Sequence, residues 1–334
     1  MTLKTALVTG ANGYIGNAVA KAFARAGWRT YGLVRREGAV GDLARNEIQP
    51  LVGPSDGGGP DGLGDVTFDV VVSNTEDRTD PSGHLAAVRV MLDKAVARSE
   101  EAGRRPLVIF SSGCKDYGAM KQKHGDPALA PHTEESPLAP SAASAILVPR
   151  CTFGARLLDK AETPYDAVVL RPTIVYGLSS SYYGSLFDLA ARSRDVLMIV
   201  GDPDAVMHSC HVDDCADAYV ALAEHPDRSA IANQAYNISN QRYETAREVG
   251  EALARSYGLD LAFEVPTHEY SHGDVYWLFN YWQWVGSDKI RAATAWHERR
   301  ATFANGIDQY RIAYEASRST AQPMNAHRKS KRDG

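Results

Sequence analysis

TALVTGANGYIG, residues 5–16, decides the fold. An apolar strand, Thr5–Thr9, runs into Gly10, and Gly13 and Gly16 follow at three-residue steps. A glycine at a strand end permits a sharp turn, a second lets a phosphate approach the backbone, and a third lets the next helix pack tightly on the sheet. That helix's first amides and positive dipole end then face a pyrophosphate. Strand, glycine turn and amphipathic helix in this order are more specific than the glycines alone.

The pattern continues on both sides of the turn. Ile15, Val19, Ala22, Phe23 and Ala26 share one face of a helix predicted over 13–26, which Gly27 ends. Apolar runs predict strands over 29–34, 68–73, 107–110 and 167–170. Leu85, Val88, Leu92, Ala95 and Val96 place a helix over 85–98. Buried strands separated by helices call for a parallel sheet covered on both faces. GPSDGGGPDGLG, 53–64, reads as a mobile loop.

The chain has 334 residues, 44% hydrophobic and 23% charged, with a net charge of -5. This is a soluble globular profile of about two domains, without the basic footprint of a nucleic-acid binder. Four cysteines, Cys114, Cys151, Cys210 and Cys215, make no disulfide framework and fit a reducing cytoplasm. The N-terminus is no signal peptide, and no apolar run reaches the ~20 residues needed to span a membrane. HRKSKRDG closes the chain as a solvated tail. His208, Cys210, His211 and Cys215 lie close together, but the five-residue step between the cysteines lacks zinc-knuckle spacing, so no metal is expected.

Four more stretches follow the glycine turn in order: LRPTIVYG at 170–177, HSCHVDDCADAYVALAE at 208–224, YNIS at 236–239 and SDKIRAATAW at 287–296. Together the five resemble the extended short-chain dehydrogenase/reductase superfamily, which includes the NAD-dependent epimerase/dehydratase family. The resemblance covers most of the chain. It implies an α/β fold, a Rossmann-type doubly wound parallel sheet with a smaller C-terminal α/β substrate domain. The dinucleotide-binding domain would take 1–175 plus about 205–240, the substrate domain 176–204 and 241–320, and a disordered tail 321–334. In the element at 208–224, Asp213 or Asp214 is expected to cap the helix. A homodimer is expected through helices near 84–98 and 150–161.

The resemblance places cofactor contacts on Thr9, Gly10, Asn12, Gly13, Tyr14, Ile15 and Gly16 in the turn. Ser73, Asn74 and Thr75 follow the third of the strands read above, and Ser111, Arg150, Pro172, Ile174 and Val175 complete the set. NAD-selective enzymes put Asp or Glu at the end of the second strand to hold the ribose hydroxyls. Here that slot is Val34, followed by Arg35 and Arg36, so two guanidiniums and no carboxylate await a 2′-phosphate. NADP(H) is therefore expected over NAD(H).

The family's catalytic set is a Ser or Thr after the strand at 107–110 and a later Tyr-x-x-x-Lys. Counting back from Tyr117 puts the hydroxyl position at Gly113, and a one-residue shift restores Ser112. No tyrosine occurs between Ser136 and Pro164, and the matching spacing is Ile146 to Arg150. Arginine there can hold a ribose, whereas isoleucine cannot move a proton. Pro149 fits the first turn of a helix that starts beside it. The one Tyr-x-x-x-Lys, Tyr117 to Lys121, follows Ser112 too closely for the family's order. The catalytic candidates are thus Ser112, Tyr117, Lys121 and Arg150, and Cys114, Lys115 and Asp116 share their loop. Substrate contacts are expected from Cys114, Tyr182, Tyr183, His208, Trp277 and Tyr281. DVYWLFNYWQWV, 274–285, has Val275, Leu278, Phe279 and Trp282 at helical spacing and aromatics on its other faces, as in the wall of an apolar pocket. Basic residues for a nucleotide-sugar diphosphate are sparse beyond Arg192, Arg194 and Arg242.

Three functions fit: an NADP(H)-dependent oxidoreductase acting on a small, partly aromatic carbonyl or hydroxyl metabolite; a cofactor-retaining epimerase, lyase or isomerase; and a non-catalytic NADP-sensing regulator.

Overall fold

The computed structural model describes residues 3–55, 62–179, 182–271 and 273–319. The 53–64 loop is therefore described only at its two ends, and the tail expected at 321–334 lies outside the described residues.

Six strands alternate with helices through the first half: β1 (Thr5–Thr9), α1 (Tyr14–Arg25), β2 (Arg29–Val34), α2 (Val40–Arg45), β3 (Gln49–Val52), β4 (Val70–Ser73), α3 (Pro81–Glu101), β5 (Leu107–Ser111), α4 (Leu147–Leu158) and β6 (Asp166–Pro172). Next come β7 (Ile174–Tyr176), α5 (Gly184–Arg192), β8 (Val196–Val200), β9 (Val206–Met207), β10 (Ser209–His211), α6 (Val212–Ala223), α7 (Arg228–Ile231) and β11 (Gln234–Ile238). The main sheet is parallel, in the order β11-β6-β5-β4-β1-β2-β3. Strand order reverses between β1 and β4, which opens a crevice at the carboxyl ends of those two strands. The glycine turn sits at that point. β1 and β4 are buried at every residue, as a sheet covered on both faces requires. On one face α1 and α6 pack together over Val8, Val19, Phe23 and Tyr219; on the other, α3 covers Leu7, Val71, Val108 and Val169.

The remaining chain forms β12 (Glu244–Thr245), α8 (Ala246–Tyr257), β13 (Asp260–Glu264), α9 (Trp277–Asn280), α10 (Asp288–Ala293) and α11 (Ile307–Ser319); α10 packs through Ile290 on the first core beside β11, and the others contribute to a second core. β8 pairs with β13, and Tyr176, Tyr183, Phe187, Phe303 and Tyr310 pack ring to ring, the Tyr183 and Phe303 centroids 4.5 Å apart. Buried carboxylates fasten the C-terminal segment. Asp214 accepts from the amides of Arg299 and Arg300, both at 3.0 Å, and Glu244 accepts from those of Phe303 and Ala304.

Two local expectations are corrected. The 274–285 stretch is not one helix: α9 covers a single turn, and extended chain follows. There the carbonyls of Trp282 and Trp284 accept from the amides of Met120 and His132. The cap of α6 is neither Asp213 nor Asp214. The His211 ring accepts from the Asp213 amide at 3.1 Å, which leaves Asp214 to hold the C-terminal segment. Asp213 pairs with Arg300.

Candidate active site

The crevice between β1 and β4 is a cavity of about 250 Å³. Thr9, Gly10, Asn12, Gly13, Val34, Arg35, Asn74 and Thr75 line it, together with Leu33, Glu76, His84 and residues 53–55. Gly10 has φ +62°, and a Cβ there would meet the Asn74 carbonyl at 2.7 Å. A Cβ on Gly16 would overlap the Gly10 carbonyl, so α1 reaches the turn only with glycine at that position. Gly13 caps α1 with no side chain over its first amides. The Asn74 Nδ2 and Ser73 Oγ, buried beside the turn, have no hydrogen-bond partner. A cradle of bare amides and orphaned polar groups fits the pyrophosphate of a dinucleotide.

The other expected cofactor residues are distributed around this cavity. Tyr14 donates its hydroxyl to the Gly177 carbonyl at 2.6 Å, joining the turn to the end of β7. Ile15 packs on the sheet core. Ser111 Oγ bonds Asn74 Oδ1 and, at 2.7 Å, the Tyr219 hydroxyl. Pro172, Ile174 and Val175 are buried in β6 and β7, outside the cavity lining. Arg35 and Arg36 are both exposed, and only Arg35 lines the cavity. His84, which had no signal in the glycine pattern, joins the wall from α3, and its Nε2 lies 3.1 Å from Thr75 Oγ1.

At the far end, beyond Thr75 and Glu76, Ile146 and Arg150 of the α4 start form a narrow wall with His84 and Phe110. Pro149 lies in the first turn of α4. Arg150 points back under the β5 loop: a Cβ built on Gly113 would lie 3.2 Å from its Nη2. The guanidinium thus occupies the space a hydroxyl side chain at 113 would need. Arg150 Nη2 lies 3.4 Å from Asp116 Oδ1, Arg171 Nε lies 3.3 Å from Oδ2, and Ser112 Oγ donates to Oδ2 at 2.5 Å. One buried carboxylate between two guanidiniums therefore orients Ser112.

The structure does not assemble several sequence candidates. Tyr117 is buried, donates to Asn237 Oδ1 at 2.8 Å, accepts from Arg171 at 3.1 Å and stacks on His132, while Lys121 is exposed. They form no acid/base pair. Cys114 is buried against Tyr117 and Val285, and desolvation pushes its thiol up to about 12. Tyr183 belongs to the second aromatic core, and His208 is locked between the Asn240 carbonyl (2.8 Å) and the Val285 amide (3.1 Å), so neither meets the cleft. Tyr182, Trp277 and Tyr281 do gather: Tyr182 and Trp277 lie 5.4 Å apart, and Trp277 stacks on Tyr281 at 4.9 Å.

The model of the NAD dependent epimerase/dehydratase family matches residues 6–239. Among solved structures, the chain is similar to UDP-glucose 4-epimerase from Bifidobacterium longum in complex with NAD+ and UDP (TM-score 0.70, 15% identity, 95% of this chain and 99% of that one). It is also similar to dTDP-glucose 4,6-dehydratase from Bacillus anthracis in complex with NAD (TM-score 0.72, 17% identity, 95% and 98%). A third is UDP-glucuronic acid 4-epimerase from Bacillus cereus in complex with NAD (TM-score 0.71, 15% identity, 94% and 99%). At these identities the likeness is one of fold. A search of curated proteins finds no match to this chain.

Proposed function

The chain belongs to the NAD dependent epimerase/dehydratase family, and on that footing we propose that it is an NADP(H)-dependent oxidoreductase acting on a small carbonyl or hydroxyl metabolite with an aromatic part. The observation that carries this is the cavity at the glycine turn, with Arg35 in its lining beside the end of β2. The aromatic cluster of Tyr182, Trp277 and Tyr281 is joined to it through Arg78, which lies 3.4 Å from the Tyr182 hydroxyl and pairs with Glu76 of the lining. The solved relatives hold NAD. What favours the phosphorylated dinucleotide here is Val34 in place of a carboxylate, with Arg35 beside it. The amides of the turn and the first turn of α1 would hold the pyrophosphate, and Asn74 and Ser73 would answer their unpaired polar atoms there. A bound nicotinamide dinucleotide supplies or accepts a hydride equivalent. Arg150, fixed by Asp116, would mark the ribose end, and Ser112 would orient the reacting oxygen. Tyr182, Trp277 and Tyr281 would form one wall against the planar part of the substrate.

A second reading, a reaction without net redox, is favoured by one observation: Ile146 stands at the position of the family's tyrosine and is half-buried in the wall of the far end. NADPH oxidation with a panel of aryl aldehydes and ketones, and mass spectrometry of the products, tests both. Product two hydrogens heavier, with matching NADPH loss, supports the first. Isomerised or cleaved product with NADPH unchanged supports the second. Cofactor binding with no conversion at all contradicts both and leaves a sensor.

A further inference from the structure

Ile146 leaves the far end of the cleft without the family's phenol, and the ionisable groups of its lining are Glu76, Asp77, His84 and Arg150. Another phenol, from the segment after β7, meets Arg78, which is paired with Glu76 of that wall. The Tyr182 hydroxyl lies 3.5 Å from Lys115 Nζ and 3.4 Å from Arg78 Nη2. Lys115 Nζ also sits over the rings of Tyr182 and Trp277, 4.5 and 4.4 Å from their centroids. Lys115 belongs to the loop after β5 that carries Ser112. Arg78 belongs to the loop after β4 whose Asn74, Thr75 and Glu76 line the cofactor cavity, and it is paired with Glu76 at 3.1 Å. A phenol and an ammonium that one helix turn supplies in the family are thus brought together by separate loops 67 residues apart.

We propose that Tyr182 is the proton-transfer residue of this site, with Lys115 and Arg78 as the positioning cations that hold its phenolate. This rests on the oxidoreductase reading. In the reductive direction the Tyr182 O–H bond breaks and its proton forms the new O–H of the product alcohol. The electron pair and hydrogen at carbon come from the reduced dinucleotide named above. The phenolate stays between the two cations until water returns a proton, and oxidation runs the same transfer backwards.

The electrostatics support this direction. Burial pushes the Tyr182 phenol up, and the Arg78 hydrogen bond opposes that, so the phenol is neutral near pH 7, as a donor must be. Desolvation pushes the Lys115 ammonium down to about 8. Cys114, Arg150, Glu76 and Arg78 are the ionisable groups that act on it across the loops. Above about pH 8 the pair loses its ammonium, so reduction slows as pH rises through that value.

The test uses the full chain and three variants, Tyr182→Phe, Arg78→Met and Lys115→Met. Phenolate ultraviolet titration of wild type minus Tyr182→Phe isolates Tyr182. Repeated in the Arg78→Met background, the midpoint rises by about one pH unit or more if the guanidinium, still charged where the phenol titrates, stabilises the phenolate. The Lys115 ammonium is read instead by the fall in reduction rate at about pH 8, which Lys115→Met removes and which overturns its role if it persists. With a carbonyl that wild type reduces, Tyr182→Phe loses about 100-fold or more in kcat while NADPH binds with wild-type affinity. An unchanged midpoint, or kcat in Tyr182→Phe within about threefold of wild type, overturns the proposal. If wild type reduces no carbonyl, the oxidoreductase reading fails, and the titration alone then decides whether Arg78 holds the Tyr182 phenolate.

Discussion

Arg35 is a single exposed side chain at the mouth of a cavity, yet the proposed cofactor preference rests on it. A charge-assisted hydrogen bond to a 2′-phosphate is worth about 1.5–3 kcal/mol. Arg35→Ala is therefore expected to weaken NADPH binding by about tenfold or more and NADH binding by less than about twofold, read by calorimetry. Asp116 works in the opposite setting, buried between Arg150 and Arg171. Removing it leaves two guanidiniums without their carboxylate. Asp116→Ala is expected to cost about 3–5 kcal/mol of stability, measured by urea unfolding, and to release Ser112. At this scale the sequence exposes Arg35, because the end of β2 is fixed by strand spacing, and it exposes the missing phenol at Ile146. The Tyr182–Lys115 approach is hidden from it, since no local spacing relates residues on separate loops.

At the scale of elements, the glycine turn is the most legible feature and the most brittle. Gly16 lets α1 close on the Gly10 carbonyl, and no side chain fits between them. Gly16→Ala is expected to lower stability by more than about 1 kcal/mol in urea unfolding and to weaken dinucleotide binding with it. The 274–285 stretch shows where periodicity misleads. Its apolar spacing is helical, but side-chain amides compete for the backbone. Asn280 Nδ2 donates to the carbonyls of Tyr276 and Val200, closing α9 after one turn, and Gln283 Nε2 donates to those of Cys114 and Gly118. The chain then runs extended along the loop at 120–132 and brings Trp277 and Tyr281 to the β5 loop. His211 shows the same lesson at a cap: an imidazole nitrogen takes the place expected for a carboxylate.

At the scale of the whole molecule, two buried imidazoles link the halves and tie stability to pH. His208 Nε2 donates to the Asn240 carbonyl and Nδ1 accepts from the Val285 amide, so a second proton would set N–H against N–H. Desolvation pushes its pKa down to about 4, from an ordinary 6.5. The unfolded chain takes up a proton below pH 6.5 and the native state resists until about 4. Native stability is therefore full above pH 6.5 and falls by up to about 3 kcal/mol as pH drops to 4. Urea midpoints across that window check this, and His208→Gln is expected to flatten part of the decline. His211, also desolvated, is depressed in the same direction.

A parallel sheet covered on both faces follows from alternating buried strands and helices, so that much of the first half could be read in advance, whereas the strand order and the place of its reversal appear only in the fold. The substrate half depends on chain segments that meet only after folding. The account as a whole rests on the cavity between β1 and β4 accepting a phosphorylated dinucleotide. Calorimetric titration of the full chain with NADPH and with NADH tests this most directly. Saturable binding of both, with NADPH at least about tenfold tighter, is the predicted result. Binding of neither at millimolar concentration, or NADH equal to or tighter than NADPH, would contradict it.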